Sequence, residues 1–217
     1  MNCVKKNLWE SLLLYAVTDR AWLGHQTLTG QVEEALRGGA TFLQLREKEL
    51  NRADFLEEAL AIKALCGRYG VPFVINDNVQ VALDCDADGV HVGQEDMAAA
   101  LAREKLGEEK LLGVSVQTVE QAVRAEKDGA DYLGVGAVFA TSTKPDADAV
   151  SFDTLRKICD SVTIPVVAIG GINQQNLTRL RGSGIVGVAV VSAIFAQKDI
   201  AAATAQLKSL TEKMVKG

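Results

Sequence analysis

The chain predicts a single-domain α/β fold, a (β/α)8 barrel, and three observations carry that expectation. Short, β-branched, nearly all-apolar runs alternate with longer stretches of helical period, the pattern of parallel βα units. Eight such pairs fit into 217 residues, a length that barrels routinely reach in one domain. The turns that enter the strands are short (Gly-Ala, Gly-Val or Asp-Gly), whereas the segments that leave them are polar and variable in length. In such barrels the chemistry is built on the leaving side.

Taken in order, residues 1–11 are expected as a short N-terminal extension of a domain spanning 1–217. Glu10 and Ser11 interrupt its apolar run and no small-residue cleavage site follows, so it does not read as a signal peptide. The first strand is LLLYAVT (12–18), followed by the helical stretch LTGQVEEALRGGA; the second is TFLQLR (41–46), followed by DFLEEALAIKALCGRYG. PFVIND (72–77), GVHVG (89–93), LLGVSV (111–116) and DYLGVG (131–136) give strands three to six, with TVEQAVRAEKDGA between the last two. IPVVAIG (164–170), the stretch NQQNLTRLRGSG, GVAVVS (187–192) and the final helix DIAAATAQLKSLTEKMVKG complete the series. The strands are apolar throughout because parallel strands are covered on both faces, and the helical stretches mostly stop at glycine.

A net charge of −5 and a pI near 5.2 exclude a broad phosphate-backbone footprint, so nucleic acid is not an expected partner. No window approaches eighteen apolar residues, which excludes a membrane-spanning helix. Cys3, Cys66, Cys85 and Cys159 are scattered without a C-x-x-C pair, as expected of a reducing cytoplasm. GSGIVG (182–187) satisfies G-x-G-x-x-G but precedes a strand, whereas a dinucleotide fingerprint follows one and opens a helix. Of the two histidines, His91 lies inside a strand, where a hydrogen-bonded packing role is expected, and His25 lies in a loop.

Polar residues collect where strands end. Gln44, Arg46 and Lys48 follow the second strand, Asn76 and Asp77 the third, Gln94 and Asp96 the fourth, and Ser115 ends the fifth. VFATSTKPDA (138–147), with its hydroxyls and Lys144, follows the sixth; Gly170 and Gly171 follow the seventh; Val191 and Ser192 follow the eighth. Two aspartates on neighbouring strands, with few histidines, suit a hard cation with oxygen ligands, and magnesium is the expected one. The competing role for each aspartate is a helix N-cap, before VQVALD for Asp77 and before MAAALAREKLG for Asp96. Arg46, Lys48 and Lys144 around such an ion suit a pyrophosphate. The glycine pair and Ser192 suit a second anion, because backbone amides without side chains let a phosphate approach closely.

The motifs QLREK (44–48), ND (76–77), ADGVHVGQED (87–96), GVS (113–115), GADYLGVGAVFATSTK (129–144), PVVAIGGI (165–172) and GVAVVSAI (187–194), in this order, resemble the thiamine-phosphate synthase family. The resemblance runs from about Leu14 to Ser192. It implies a transferase that joins 4-amino-2-methyl-5-(diphosphooxymethyl)pyrimidine to 4-methyl-5-(2-phosphooxyethyl)thiazole, giving thiamine phosphate and pyrophosphate. By the same resemblance Gln44, Leu45, Arg46, Glu47, Lys48, Asn76, Ser115 and Lys144 would bind the pyrimidine diphosphate, with Arg46, Lys48, Ser115 and Lys144 acting in catalysis. Thr141, Ser142, Thr143, Gly171, Val191 and Ser192 would bind the thiazole phosphate, and Asp77 and Asp96 the magnesium ion. Two positions depart from the family pattern: Asn78 stands where many relatives carry arginine, and Gln117 where a histidine is common. The alternatives are a thiazole tautomerase-like paralogue, disfavoured by Ala137 and the TSTK run, and a non-catalytic barrel that binds phosphorylated ligands. The sequence leaves the oligomeric state open.

Overall fold

The computed structural model describes residues 3–140 and 149–216. Its eight parallel strands close into one barrel in chain order, β1 pairing with both β2 and β8. The strands are β1 (Leu14–Val17), β2 (Phe42–Leu45), β3 (Phe73–Asn76), β4 (Gly89–Val92), β5 (Leu111–Val116), β6 (Tyr132–Val135), β7 (Val166–Ile169) and β8 (Gly187–Val190). Every expected strand is present, β5 with the expected bounds, β4 and β8 trimmed by one or two residues at one end, and the others at both ends.

The two-residue period of the strands sorts the core into two clusters. Tyr15, Val17, Phe42, Val74, Leu111, Tyr132, Val167 and Ala189 fill the barrel's interior. Their alternate neighbours, including Ala16, Leu43, Leu45, Ile75, Val90 and Val114, face outward under the helices. Because a one-residue slip would exchange these sets, the apolar pattern fixes the register.

The helices are α1 (Cys3–Lys6), α2 (Leu8–Ser11), α3 (Leu28–Arg37), α4 (Arg52–Tyr69), α5 (Val79–Asp84), α6 (Ala99–Leu106), α7 (Val119–Lys127), α8 (Phe152–Ser161), α9 (Ser192–Phe195) and α10 (Ile200–Val215). Side chains cap the helix starts: Thr27 caps α3, Asn51 caps α4, and Thr118 with Gln121 forms a capping box on α7. Within the short N-terminal extension, residues 3–11 form two helical turns. α2 enters β1 directly, and its Leu8, with Leu12, joins the interior cluster from the N-terminal end of the strands.

One helical stretch is not realised as expected. Within 173–184 only Leu177–Leu180 winds, as a single 3-10 turn. Asparagine side chains take the backbone elsewhere: Asn176 Oδ1 accepts from Asn173 N at 2.9 Å, and Asn173 Oδ1 from Gln175 N at 2.9 Å. Such local bonds compete with helix formation.

Candidate active site

The β2 exit is tied to the β1 exit. Thr18 Oγ1 accepts from the Arg46 amide at 3.0 Å, and the Arg46 guanidinium meets Asp19 at 3.1 Å. Glu47 turns its carboxylate inward, accepting from the amides of Lys48 (2.7 Å), Glu49 (2.8 Å) and Leu50 (3.3 Å), and pairs with Arg20. Burial works to raise its pKa, but those amides and Arg20 outweigh it and hold the carboxyl below its ordinary value. Glu47 therefore builds the loop that carries Arg46 and Lys48, and its carboxylate is already committed. Leu45 packs wholly under the helices, so its side chain does not reach the mouth.

Asp77 leaves β3 in a left-handed conformation (φ 61°), which aspartate tolerates better than most residues, and its amide donates to His91 O at 2.8 Å. Asp96 closes the β4 exit by accepting from Gly93 N at 2.8 Å; a Cβ on Gly93 would lie 2.7 Å from that same carboxylate oxygen. Neither aspartate caps a helix. Asn78 caps α5, accepting from Val81 N at 3.0 Å, and α6 begins after Ala98 without a side-chain cap. This resolves the competing N-cap role and gives Asn78 a task of its own.

Asp77 feels the charge of Asp96. Burial first, then the neighbouring Asp96 carboxyl, push Asp77 up to about 6, against the opposing pull of Lys48 and Asn76. Like charges held together near one cation form a receptor for positive charge. Among the described residues no three His, Cys, Asp or Glu side chains cluster as a complete protein cage. Two hard oxygen donors without a cage fit magnesium, which keeps water and ligand oxygens in its shell. A cavity of about 570 Å³ opens beside them, lined among others by Lys48, Asn76, Asp77, Asn78 and Lys105.

A buried chain of polar side chains crosses the barrel below this mouth. Gln44 Nε2 donates to Tyr15 Oη, which lies 3.0 Å from Tyr132 Oη; that hydroxyl lies 3.1 Å from His91 Nδ1, and His91 Nε2 lies 2.9 Å from Ser115 Oγ. The rings of Tyr15, Phe42 and Tyr132 pack edge to face around it. Gln94 Nε2 donates to the Ser115 carbonyl at 2.7 Å, fixing the same strand end from β4. His91 is thus hydrogen-bonded within the core, as its place in a strand implied.

At the far side of the mouth the β6 and β7 exits are knitted together. Val138 N donates to Ile169 O at 3.0 Å and Phe139 N to Gly170 O at 3.1 Å. Gly170 (φ 98°) and Gly171 (φ 62°) hold positive φ. A Cβ on Gly171 would overlap Ala140 O and lie 2.8 Å from Phe139 O. The small residue is therefore needed by the start of the β6 loop, in addition to the anion approach expected of it. Asn176 Nδ2 holds the Gly171 carbonyl at 2.8 Å, and the Arg179 guanidinium lies 5.2 Å from the Phe139 ring centre. Val191 packs against the interior cluster, and Ser192 opens α9. Thr141, Ser142, Thr143 and Lys144 lie outside the described residues.

The structure thus brings Gln44, Arg46, Lys48, Asn76, Asp77, Asp96, Ser115, Gly171 and Ser192 to the C-terminal ends of the strands. Sequence reading missed Thr18 and Asp19, which hold Arg46, and the tyrosines Tyr15 and Tyr132. Thr18 and Asp19 follow β1 as Asn76 and Asp77 end β3, so the same strand-end rule points to them. The tyrosines sit inside apolar runs and carry no such signal.

The family model described as thiamine monophosphate synthase matches residues 14–194. The chain is 52% identical over 202 residues to the thiamine-phosphate synthase of Ruminiclostridium cellulolyticum, covering 93% of each chain. It is 52% identical over 198 residues to that of Chloroflexus aurantiacus, covering 91% of each. The thiamine phosphate pyrophosphorylase structure from Pyrococcus furiosus superposes with a TM-score of 0.90 at 42% identity, covering 96% of this chain and all of that one. A geranylgeranylglyceryl phosphate synthase from Thermoplasma acidophilum superposes with a TM-score of 0.70 at 14% identity, a likeness of fold alone.

Proposed function

We infer the chemistry of this site from one premise: the chain belongs to the thiamine monophosphate synthase family. It is a transferase that condenses the aminopyrimidine diphosphate with the thiazole phosphate to give thiamine phosphate and pyrophosphate. The observation that carries this reading to the residues is one mouth holding Arg46 and Lys48 beside the paired Asp77 and Asp96, in a chain half-identical to known synthases. That degree of identity to proteins named as synthases also weighs against the tautomerase alternative.

Diphosphate departs first, leaving a methylene cation that the pyrimidine's amino group stabilises by pushing electrons through the ring. The thiazole nitrogen then attacks that carbon, so no strong base is needed. Arg46, held at a fixed angle by Asp19, and Lys48 face the leaving group, where preorganised cations count most. Lys144 joins them in this reading. Asp77 and Asp96 would hold magnesium, which when bound supplies positive charge to the diphosphate oxygens. Gln44, Asn76 and Ser115 orient the pyrimidine, while Thr141, Ser142, Thr143, Gly171, Val191 and Ser192 take the thiazole phosphate. Leu45 and Glu47 contribute through backbone atoms, since their side chains are buried or committed. No helix of the described residues is long and apolar enough to cross a membrane. Free thiols at Cys66, Cys85 and Cys159 support a cytoplasmic location.

Mixing the protein with both substrates and Mg²⁺ should release thiamine phosphate and pyrophosphate in equal amounts. Within that reaction Lys144→Met should slow single turnover on the order of 10²- to 10³-fold while leaving thiazole phosphate affinity unchanged. A single-turnover rate within about threefold of wild type would remove Lys144 from the leaving-group role.

A further inference from the structure

We propose that Tyr15, Tyr132 and His91 form a positioning relay that sets the direction of the Ser115 hydroxyl in the pyrimidine site. The inference rests on the reading above that Gln44 and Ser115 contact the pyrimidine diphosphate.

The relay is a sealed object. Tyr15, Tyr132, Gln44 and His91 are 1%, 0%, 4% and 7% exposed, so their polar atoms need partners inside the protein, and the bonds along this chain supply them. Space has been cleared for them. His91 pairs in register with Gly113, and Gly113 with Tyr132. A Cβ on Gly113 would overlap both the Tyr132 ring and His91 Nδ1, and one on Gly134 would lie 3.1 Å from His91 Cε1. Two strands therefore give up side chains where a hydrocarbon layer would otherwise continue. An apolar interior would have served stability as well, because a buried polar network must be fully paired merely to break even.

The proton inventory runs one way. Gln44 Nε2 can only donate, so Tyr15 Oη accepts there and its own hydrogen goes to Tyr132 Oη. The Tyr132 hydrogen then goes to His91 Nδ1, which must accept; His91 Nε2 carries the hydrogen and donates to Ser115 Oγ. With one lone pair engaged by His91, Ser115 has its hydroxyl hydrogen left to point out of the relay, as a donor to a bound acceptor. Reversing any one link alone would leave two hydrogens, or two lone pairs, facing each other. The arrangement thus holds at Ser115 a donor that a lone serine would rotate freely.

Three measurements on the intact enzyme test this. Long-range ¹H–¹⁵N spectra of the histidine rings should show His91 protonated at Nε2 alone; a ring protonated at Nδ1, or at both nitrogens, overturns the direction. Tyr132→Phe keeps the ring and removes one hydroxyl; kcat/KM for the pyrimidine diphosphate should fall roughly 10- to 100-fold, with the KM for thiazole phosphate unchanged. Tyr15→Phe, one link further away, should act in the same direction and serves if Tyr132→Phe does not fold. In a Ser115→Ala background the Tyr132→Phe loss should shrink, because the relay acts through that hydroxyl. Losses that simply multiply overturn the relay as a positioning device, as does a folded Tyr132→Phe or Tyr15→Phe enzyme with unchanged kinetics. If Gln44→Ala and Ser115→Ala are themselves silent, the assignment of the pyrimidine site falls, and the relay's role with it.

Discussion

Asp77 shows how a residue can be placed against its own stability. It sits in a left-handed turn, half-buried, with a second carboxylate nearby, and its pKa is raised from 3.8 to about 6. For an acid, a folded pKa above the unfolded one means that the folded state holds the proton more tightly. The contribution is therefore present below 3.8 and is lost as pH rises through about 6. In metal-free protein Asp77→Asn should raise the melting temperature at about pH 8 more than at about pH 4, and at the same time remove Mg²⁺-dependent turnover. Thermal unfolding with chelator at the two pH values checks it, and equal shifts at both would deny the carboxylate pair. Asn78 illustrates the opposite economy. Its side chain is committed to the backbone, accepting from Val81 N at 3.0 Å to cap α5, so in the proposed reading the positive charge at the diphosphate is left to Arg46, Lys48 and Lys144.

At the level of elements, strand exits are coupled in pairs, β6 with β7 through Val138 N to Ile169 O and Phe139 N to Gly170 O. Gly171 has a positive φ and no room for a Cβ against Phe139 and Ala140. Gly171→Ala should therefore displace the start of the β6 loop, costing roughly 1 to 3 kcal/mol of stability and most of the thiazole phosphate affinity. Pyrimidine diphosphate binding at the β2–β4 exits should survive. Calorimetry with each substrate separates the two, and a variant that loses both equally would show a general loss of fold. These couplings also mark what was legible in the sequence. The strands could be read because burial on both faces leaves a nearly uninterrupted apolar run, whereas the sequence left Asp77 and Asp96 between a metal and an N-cap role, and the structure shows only that neither caps a helix. The 3-10 turn at Leu177–Leu180 could not be read, since two leucines at helical spacing look the same whether or not asparagines divert the backbone. Nor could the relay, because a tyrosine inside an apolar run is indistinguishable from core until its hydroxyl's partner is known.

Across the whole molecule, stability and chemistry occupy opposite ends of one barrel. The N-terminal ends of the strands are closed by α2, whose Leu8 joins Leu12 and Leu111 in the interior cluster. Lys5 ties the preceding α1 down by pairing with Asp131 at 2.8 Å and donating to the Glu108 carbonyl at 2.6 Å; Arg103 meets the same aspartate at 2.6 Å. These groups precede strands, whereas every residue assigned to substrate or metal ends or follows one. A cavity cut at the closed end should then weaken the fold without touching the reaction. Leu8 is 4% exposed, so Leu8→Ala removes buried hydrocarbon from the closing layer and should cost about 2 to 5 kcal/mol. At temperatures well below the lowered melting point, kcat and both KM values should stay within about twofold of wild type. Denaturant unfolding beside steady-state kinetics on the same preparation makes the comparison. A loss of pyrimidine diphosphate kcat/KM in this variant would mean that the closing layer also sets the tyrosines above it, and the separation of the two ends would fail.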